Sequence, residues 1–173
     1  FIASKEVGPD GKVIGIDMTE AMIAKANENK TKLAIDNVEF ILGEIESMPL
    51  ADEMIDVIVS NCVLNLVPDK TKAFAEIYRT LKSGGHFCVS DIVIQGNMPE
   101  AVKNEATLYA GCVSGAVLMD EYIGIITNAG FTNLKIHKKK KIELPEDMLT
   151  KLLSPEEIKE YHESDLGIFS ITV

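Results

Sequence analysis

Short apolar segments of strand length alternate along this chain with segments of helical periodicity, and this alternation constrains the fold more than any composition figure does. Residues 12–17 (KVIGID) read as a strand led in by the turn Gly8-Pro9-Asp10-Gly11. Thr19 is placed to cap a helix whose apolar face would hold Met22, Ile23, Ala26 and Leu33. Residues 38–42 form a second strand, and after Pro49 residues 55–60 form a third that reads as buried. A helix is predicted over 69–81, with Phe74, Ile77, Tyr78 and Leu81 at helical spacing and Gly84-Gly85 ending it. Residues 86–94 (HFCVSDIVI) give another strand, 120–129 a helix closed by Gly130, and 133–139 a strand. Ser154-Pro155-Glu156-Glu157 is a capping box with proline at the first helical position, and 166–173 is a final strand.

Strand–helix alternation of this kind predicts an α/β fold, a doubly wound and mostly parallel sheet with helices on both faces. The 173 residues suit one domain, 1–173, in which residues 95–118 break the rhythm. That stretch is too long for a plain connection and is expected to lie as an insert over the carboxyl edge of the sheet.

Composition excludes several classes. A net charge of −10 disfavours nucleic acid and anionic membranes as partners. No apolar run approaches the ~18 residues of a membrane span. The basic run at 138–141 reads as an edge strand whose lysines discourage edge-to-edge pairing. Three cysteines without paired spacing argue against a disulfide scaffold and for a reducing compartment, so the cytoplasm is the expected location. There is no CxxC or HExxH, and His86, His137 and His162 lie in unrelated contexts.

Three strand ends carry the chemistry. Asp17, with Met18 after it, ends the first strand, where an acid can take the ribose hydroxyls of a nucleoside cofactor and an apolar side chain can cover its base. Asp17 also fits a simple helix cap. Glu44 and Ile45 follow the second strand, where a carboxylate and a backbone N–H could meet an adenine edge; a solvated loop acid fits as well. Asn61 and Cys62 end the third strand, the edge at which α/β proteins place ligands.

GIDMT, GEIE followed by MP, IDVIVSNCVLNLVPDK and YRTLKSGGHFCVSD, in this order, resemble the S-adenosylmethionine-dependent methyltransferases, and in particular the arsenite methyltransferases, from about Val7 to Val173. SNCVLNL together with Ala110-Gly111-Cys112-Val113-Ser114-Gly115-Ala116 is the more specific part. The resemblance implies S-adenosyl-L-methionine as cofactor, bound by Asp17, Met18, Glu44, Ile45 and Asn61. It implies Cys62 and Cys112 as ligands of trivalent arsenic, with Asn61 beside the reacting centre. Arsenite or its thiol conjugate would be the small-molecule substrate. As(III) is soft, which suits thiolates. It brings its own lone pair, so no general base has to strip a proton from it. On the residues alone the two cysteines also fit small buried hydrophobes, the reading given to Cys88.

The resemblance further implies a strand with a Gly-rich turn, and a third arsenic-binding thiol, upstream of Phe1. Without that strand the sheet is expected to keep an exposed seam, to bind cofactor poorly and to associate through the seam, whereas the parent protein is expected to be a monomer. Two other functions fit the sequence: a methyltransferase for a small organic acceptor such as a quinone precursor, and a non-catalytic metalloid-binding module or inert fragment.

Overall fold

The structure, a computed structural model, describes residues 1–99, 102–104 and 113–173. The backbone divides into two compact units, Phe1–Ala51 and Asp52–Val173. Each is described by itself.

The first unit holds helix α1 (Ile2–Glu6), strand β1 (Val13–Asp17), helix α2 (Glu20–Lys32) and strand β2 (Val38–Leu42). β1 and β2 pair in parallel, from Val13 opposite Val38 to Asp17 opposite Leu42, with α2 as the crossover. The side-chain amide of Asn37 donates to the carbonyls of Ser4 and Gly8, both at 2.9 Å, which ties the end of α1 to the start of β2. Gly15 leaves room for Phe40, whose ring would lie 2.8 Å from a Cβ at that position. The predicted apolar face of α2 is not buried: α2 contains no buried residue, and Met22 and Leu33 are more than half exposed. The helix is mainly polar, and two strands offer little surface to cover it. Thr19 is the N-cap residue but its hydroxyl caps nothing; its N–H instead donates to Asp17 Oδ1 at 2.8 Å.

The second unit is a four-stranded sheet in the order β3-β4-β6-β5. Its elements are β3 (Ile55–Asn61), a 3-10 turn (Leu64–Leu66), α3 (Lys70–Thr80), β4 (Leu81–Gln95), α4 (Met119–Asn128), β5 (Lys138–Lys141), α5 (Glu146–Leu152), α6 (Pro155–Glu163) and β6 (Gly167–Thr172). β3 runs parallel to β4, and β6 runs antiparallel to both β4 and β5. Asp69 caps α3 by accepting from the Lys72 N–H, and the Ser154–Glu157 capping box opens α6 as expected. Ala73, Phe74 and Ile77 of α3 are fully buried, with Phe74 edge-on to Tyr122 of α4 at 5.6 Å. A second cluster joins Ile92, Ile94 and Ile168 to Met148, Leu149 and Tyr161. Met98, Val102 and Val113 are buried in it, so both described ends of the predicted insert 95–118 belong to the core.

Three local expectations are corrected and one helix is added. Gly84-Gly85 does not end α3. The helix stops at Thr80, and Gly84, at φ +82°, lies in β4 where its register with β3 shifts between Ile55 and Val57. β5 begins at Lys138 rather than 133, after Asn133 in the left-handed region at φ 58°. α5, seven residues opened by Pro145, was not foreseen. β3 is not a buried strand: Val57 is 46% and Val59 73% exposed, because among the described residues β3 pairs with β4 alone and lies at the sheet edge. β5 is the other edge strand of this sheet, and its lysines fold back, Lys139 over Phe169 at 4.5 Å and Lys141 over Tyr161 at 4.3 Å.

Candidate active site

The predicted site residues fall into two groups, one in each unit. In the first, parallel pairing sets the carboxyl ends of β1 and β2 side by side, and the Gly43 N–H donates to the Asp17 carbonyl at 3.0 Å. Asp17 and Met18 therefore share a rim with Glu44 and Ile45. A Cβ on Gly43 would lie 2.6 Å from Pro49, so this crossing requires glycine. Asp17 does act as a cap, through Oδ1; its Oδ2 makes no hydrogen bond among the described residues. Glu44 is exposed, and Met18 is 74% exposed. The Ile45 N–H likewise has no acceptor among the described residues. This rim therefore presents a carboxylate oxygen, a second carboxylate, a backbone donor and an apolar side chain. That set matches the ribose hydroxyls, exocyclic amine, ring nitrogen and face of an adenosine.

In the second unit, β3 ends at Asn61, which is exposed and lies opposite Ser90 of β4. Cys62 follows at φ 57°, in the left-handed region that costs a non-glycine residue roughly 1–2 kcal/mol. Its N–H donates to the Ser90 carbonyl at 2.8 Å, which holds the chain in that conformation. The thiol is half-buried. Cys88 is a half-buried thiol in β4 opposite Val59. Cys112 lies outside the described residues.

The same unit holds buried polar groups that the sequence alone does not assign. Asn65 is 2% exposed; its amide nitrogen donates to the Ile92 carbonyl at 2.7 Å, and its oxygen accepts from the Ile92 N–H at 2.8 Å. Lys70, also buried, reaches the Val67 carbonyl at 3.2 Å. Asp91 is 1% exposed and accepts from the Tyr122 hydroxyl at 2.7 Å. Burial pushes the Asp91 carboxyl up to about 6, against the opposing pull of the Tyr122 hydrogen bond, the Lys70 charge and the Asn65 backbone. Burial, followed by the neighbouring Asp91 charge, also raises Tyr122. A polar residue inside an apolar run, as in Leu64-Asn65-Leu66 or Ser90-Asp91-Ile92, was the available signal, because buried polar groups are kept where they find partners.

A parallel β-α-β pair with an acid at its rim, and a second parallel pair ending in a polar turn, belong to the Rossmann-like fold of class I S-adenosylmethionine-dependent methyltransferases. The chain belongs to the methyltransferase-domain family, whose model matches residues 1–130. It is 46% identical over 139 residues to the arsenite methyltransferase of Halobacterium salinarum, covering 80% of this chain and 36% of that protein. The crystal structure of an arsenic(III) S-adenosylmethionine methyltransferase from Chlamydomonas reinhardtii superposes with a TM-score of 0.78 at 31% identity, covering 99% of this chain and 57% of that one. A shorter likeness, 35% over 99 residues, joins 57% of this chain to 41% of the demethylmenaquinone methyltransferase of Listeria monocytogenes. The chain thus spans about a third to just under three fifths of these relatives.

Proposed function

We propose that this chain is part of an S-adenosylmethionine-dependent methyltransferase that methylates trivalent arsenic held by cysteine thiolates. One observation carries the reading: Cys62 is held in a left-handed turn at the carboxyl end of β3, in a chain 46% identical to an arsenite methyltransferase. Strained backbone at a non-glycine residue persists where its surroundings enforce it, and such positions cluster at functional sites.

In this reading Asp17 Oδ2 takes the ribose hydroxyls, Met18 covers the adenine, and Glu44 and the Ile45 N–H read its edge. Asn61 contacts the cofactor beside the reacting centre. The bound cofactor supplies an electrophilic methyl on a sulfonium sulfur. The substrate is arsenite or its thiol conjugate. Cys62 and Cys112 supply thiolates to a soft centre, which fixes its position and leaves the arsenic lone pair available. No residue of the chain has to remove a proton from the nucleophile, so the protein's share is alignment and exclusion of water. The insert 95–118 fits a cover for the carboxyl edge of a single methyltransferase domain spanning 1–173. A reducing, cytoplasmic setting suits thiol ligands.

Cys62→Ser and Cys112→Ser, each in the full-length protein, test the reading by transfer of labelled methyl to As(III). Each is expected to lower turnover by about a hundredfold or more, the penalty of losing alignment at the reacting centre. Undiminished turnover in both variants removes it. A second reading, methylation of a small organic acceptor, draws on the demethylmenaquinone methyltransferase likeness. Such acceptors need a base, and their methylation would be indifferent to thiol blocking. A metalloid-binding module without catalysis is the remaining reading; calorimetry would then record arsenite binding without S-adenosylmethionine binding.

A further inference from the structure

The edge of β4 that β3 occupies does not end where β3 does. The Cys62 N–H bonds to the Ser90 carbonyl; two residues on, the Asn65 side-chain amide bonds both the N–H and the carbonyl of Ile92; two residues further, the Ile94 N–H bonds to the Val117 carbonyl at 2.9 Å. Ile94 and Leu118 form a parallel bridge at that point. The Asn65 amide thus acts as one extra peptide unit, continuing the ladder between the Cys62 turn and the 113–118 segment. Strand rise fixes successive steps of two residues about 6.6 Å apart along β4.

Gly115 closes the arrangement. A Cβ built on it would lie 1.6 Å from the Asn65 carbonyl oxygen and 2.8 Å from its carbonyl carbon. Both obstacles are backbone, and no rotation relieves them. The 113–118 segment can therefore approach Asn65 this closely with glycine at position 115 and with no other residue. Burial of Asn65 and its two short bonds to Ile92 leave the turn no room to yield.

We propose that Asn65 and Gly115 are positioning residues for the Cys62 thiol. Together they lock the Cys62 turn to β4 and seat against it the segment that follows Cys112 in sequence. The inference rests on the reading of Cys62 as an arsenic ligand, but its structural half can be measured separately.

The test uses the full-length protein with Gly115→Ala and Asn65→Asp, the second variant keeping side-chain volume and one of the two bonds. Three quantities are read: As(III) affinity by equilibrium dialysis, S-adenosylmethionine affinity by calorimetry, and alkylation of Cys62 relative to Cys88 by peptide mass spectrometry. Both variants are expected to weaken As(III) binding by about tenfold, which corresponds to ~1.4 kcal/mol. Cys62 alkylation should change at least severalfold, while Cys88 alkylation and cofactor affinity stay near the parent values. Unchanged As(III) affinity in both variants overturns the proposal, as does a parallel loss in all three readouts, which would mark general loosening. If the parent protein binds no As(III), the functional reading fails by itself. The Cys62-to-Cys88 alkylation ratio then decides the positioning claim, and an unchanged ratio in both variants overturns it.

Discussion

The rim of β1 and β2 and the rim of β3 and β4 are built on the same unit, two parallel strands ending side by side, yet they are finished in opposite ways. The first leaves its polar groups outward: Glu44 exposed, Asp17 Oδ2 and the Ile45 N–H without partners among the described residues, and Met18 in solvent. The second leaves Asn61 exposed but turns the polar groups beyond it inward, with Asn65 bonded to Ile92 and Asp91 to Tyr122, both buried. An outward rim can meet a ligand with little reorganisation, and its side chains contribute little to folding. An inward rim fixes a backbone shape and contributes to stability through every bond it makes, because a buried polar group left unpaired costs about 1–3 kcal/mol.

The largest effect that separates the two rims is expected at Asn65. Asn65→Ala leaves both the N–H and the carbonyl of Ile92 buried without partners and opens a small void. The cost is about 3 kcal/mol, on the order of 10 °C in melting temperature for a chain of this size. Calorimetric melting checks this; a loss below about 1 kcal/mol would mean that water or another group replaces the amide and that the second rim is not locked.

Asp91 probes the same rim through pH. Its folded value of about 6 lies above the ordinary 3.8, so between these values the folded state holds more proton than the unfolded one. Stability therefore falls as pH rises from near 4 to near 6, and is flat in this group's contribution on either side. The fall is of order 2–3 kcal/mol. Asp91→Asn should abolish that slope and leave the protein more stable at pH 7 than the parent. Denaturant midpoints across pH 4 to 8 would record it, and an Asn variant with the parent slope would assign the slope to another group.

Outward and inward residues also differ in how far they could be read from sequence. Asp17, Glu44 and Asn61 stand at strand ends that local patterning locates, since alternation and turn residues act within a few positions. Asn65 and Asp91 are marked only as polar residues among apolar ones, which does not name a partner. Their meaning depends on what lies 27 and 31 residues away, Ile92 and Tyr122 respectively. Gly84-Gly85 reads as a helix end for a related reason: glycine permits positive φ equally at a helix end and at a bulge, and the choice is made by pairing with β3. The burial assigned to β3 came from its apolar composition, whereas exposure is set by how many neighbours a strand has. The α2 face failed likewise, because periodicity states which side of a helix is apolar and not whether anything covers it.

The smallest effect is expected on the outward rim, and it is the sharpest test of the contrast. Asp17→Asn retains an oxygen that can accept the Thr19 N–H, so the start of α2 keeps its bond. What it removes is the charge on the carboxylate that would take the two ribose hydroxyls. Hydrogen bonds to a charged group exceed neutral ones by about 1 kcal/mol, so S-adenosylmethionine affinity in the full-length protein should weaken by roughly fivefold to tenfold. The melting temperature without cofactor should stay within about 1–2 °C of the parent, as for a surface substitution that preserves its local bond. Titration calorimetry and a thermal melt on the same sample separate the two quantities. An Asn variant that binds cofactor normally but melts lower would reverse the assignment: Asp17 would then be a helix cap that holds the first rim together, and the contrast between a rim whose carboxylates face outward and one braced by inward polar bonds would collapse.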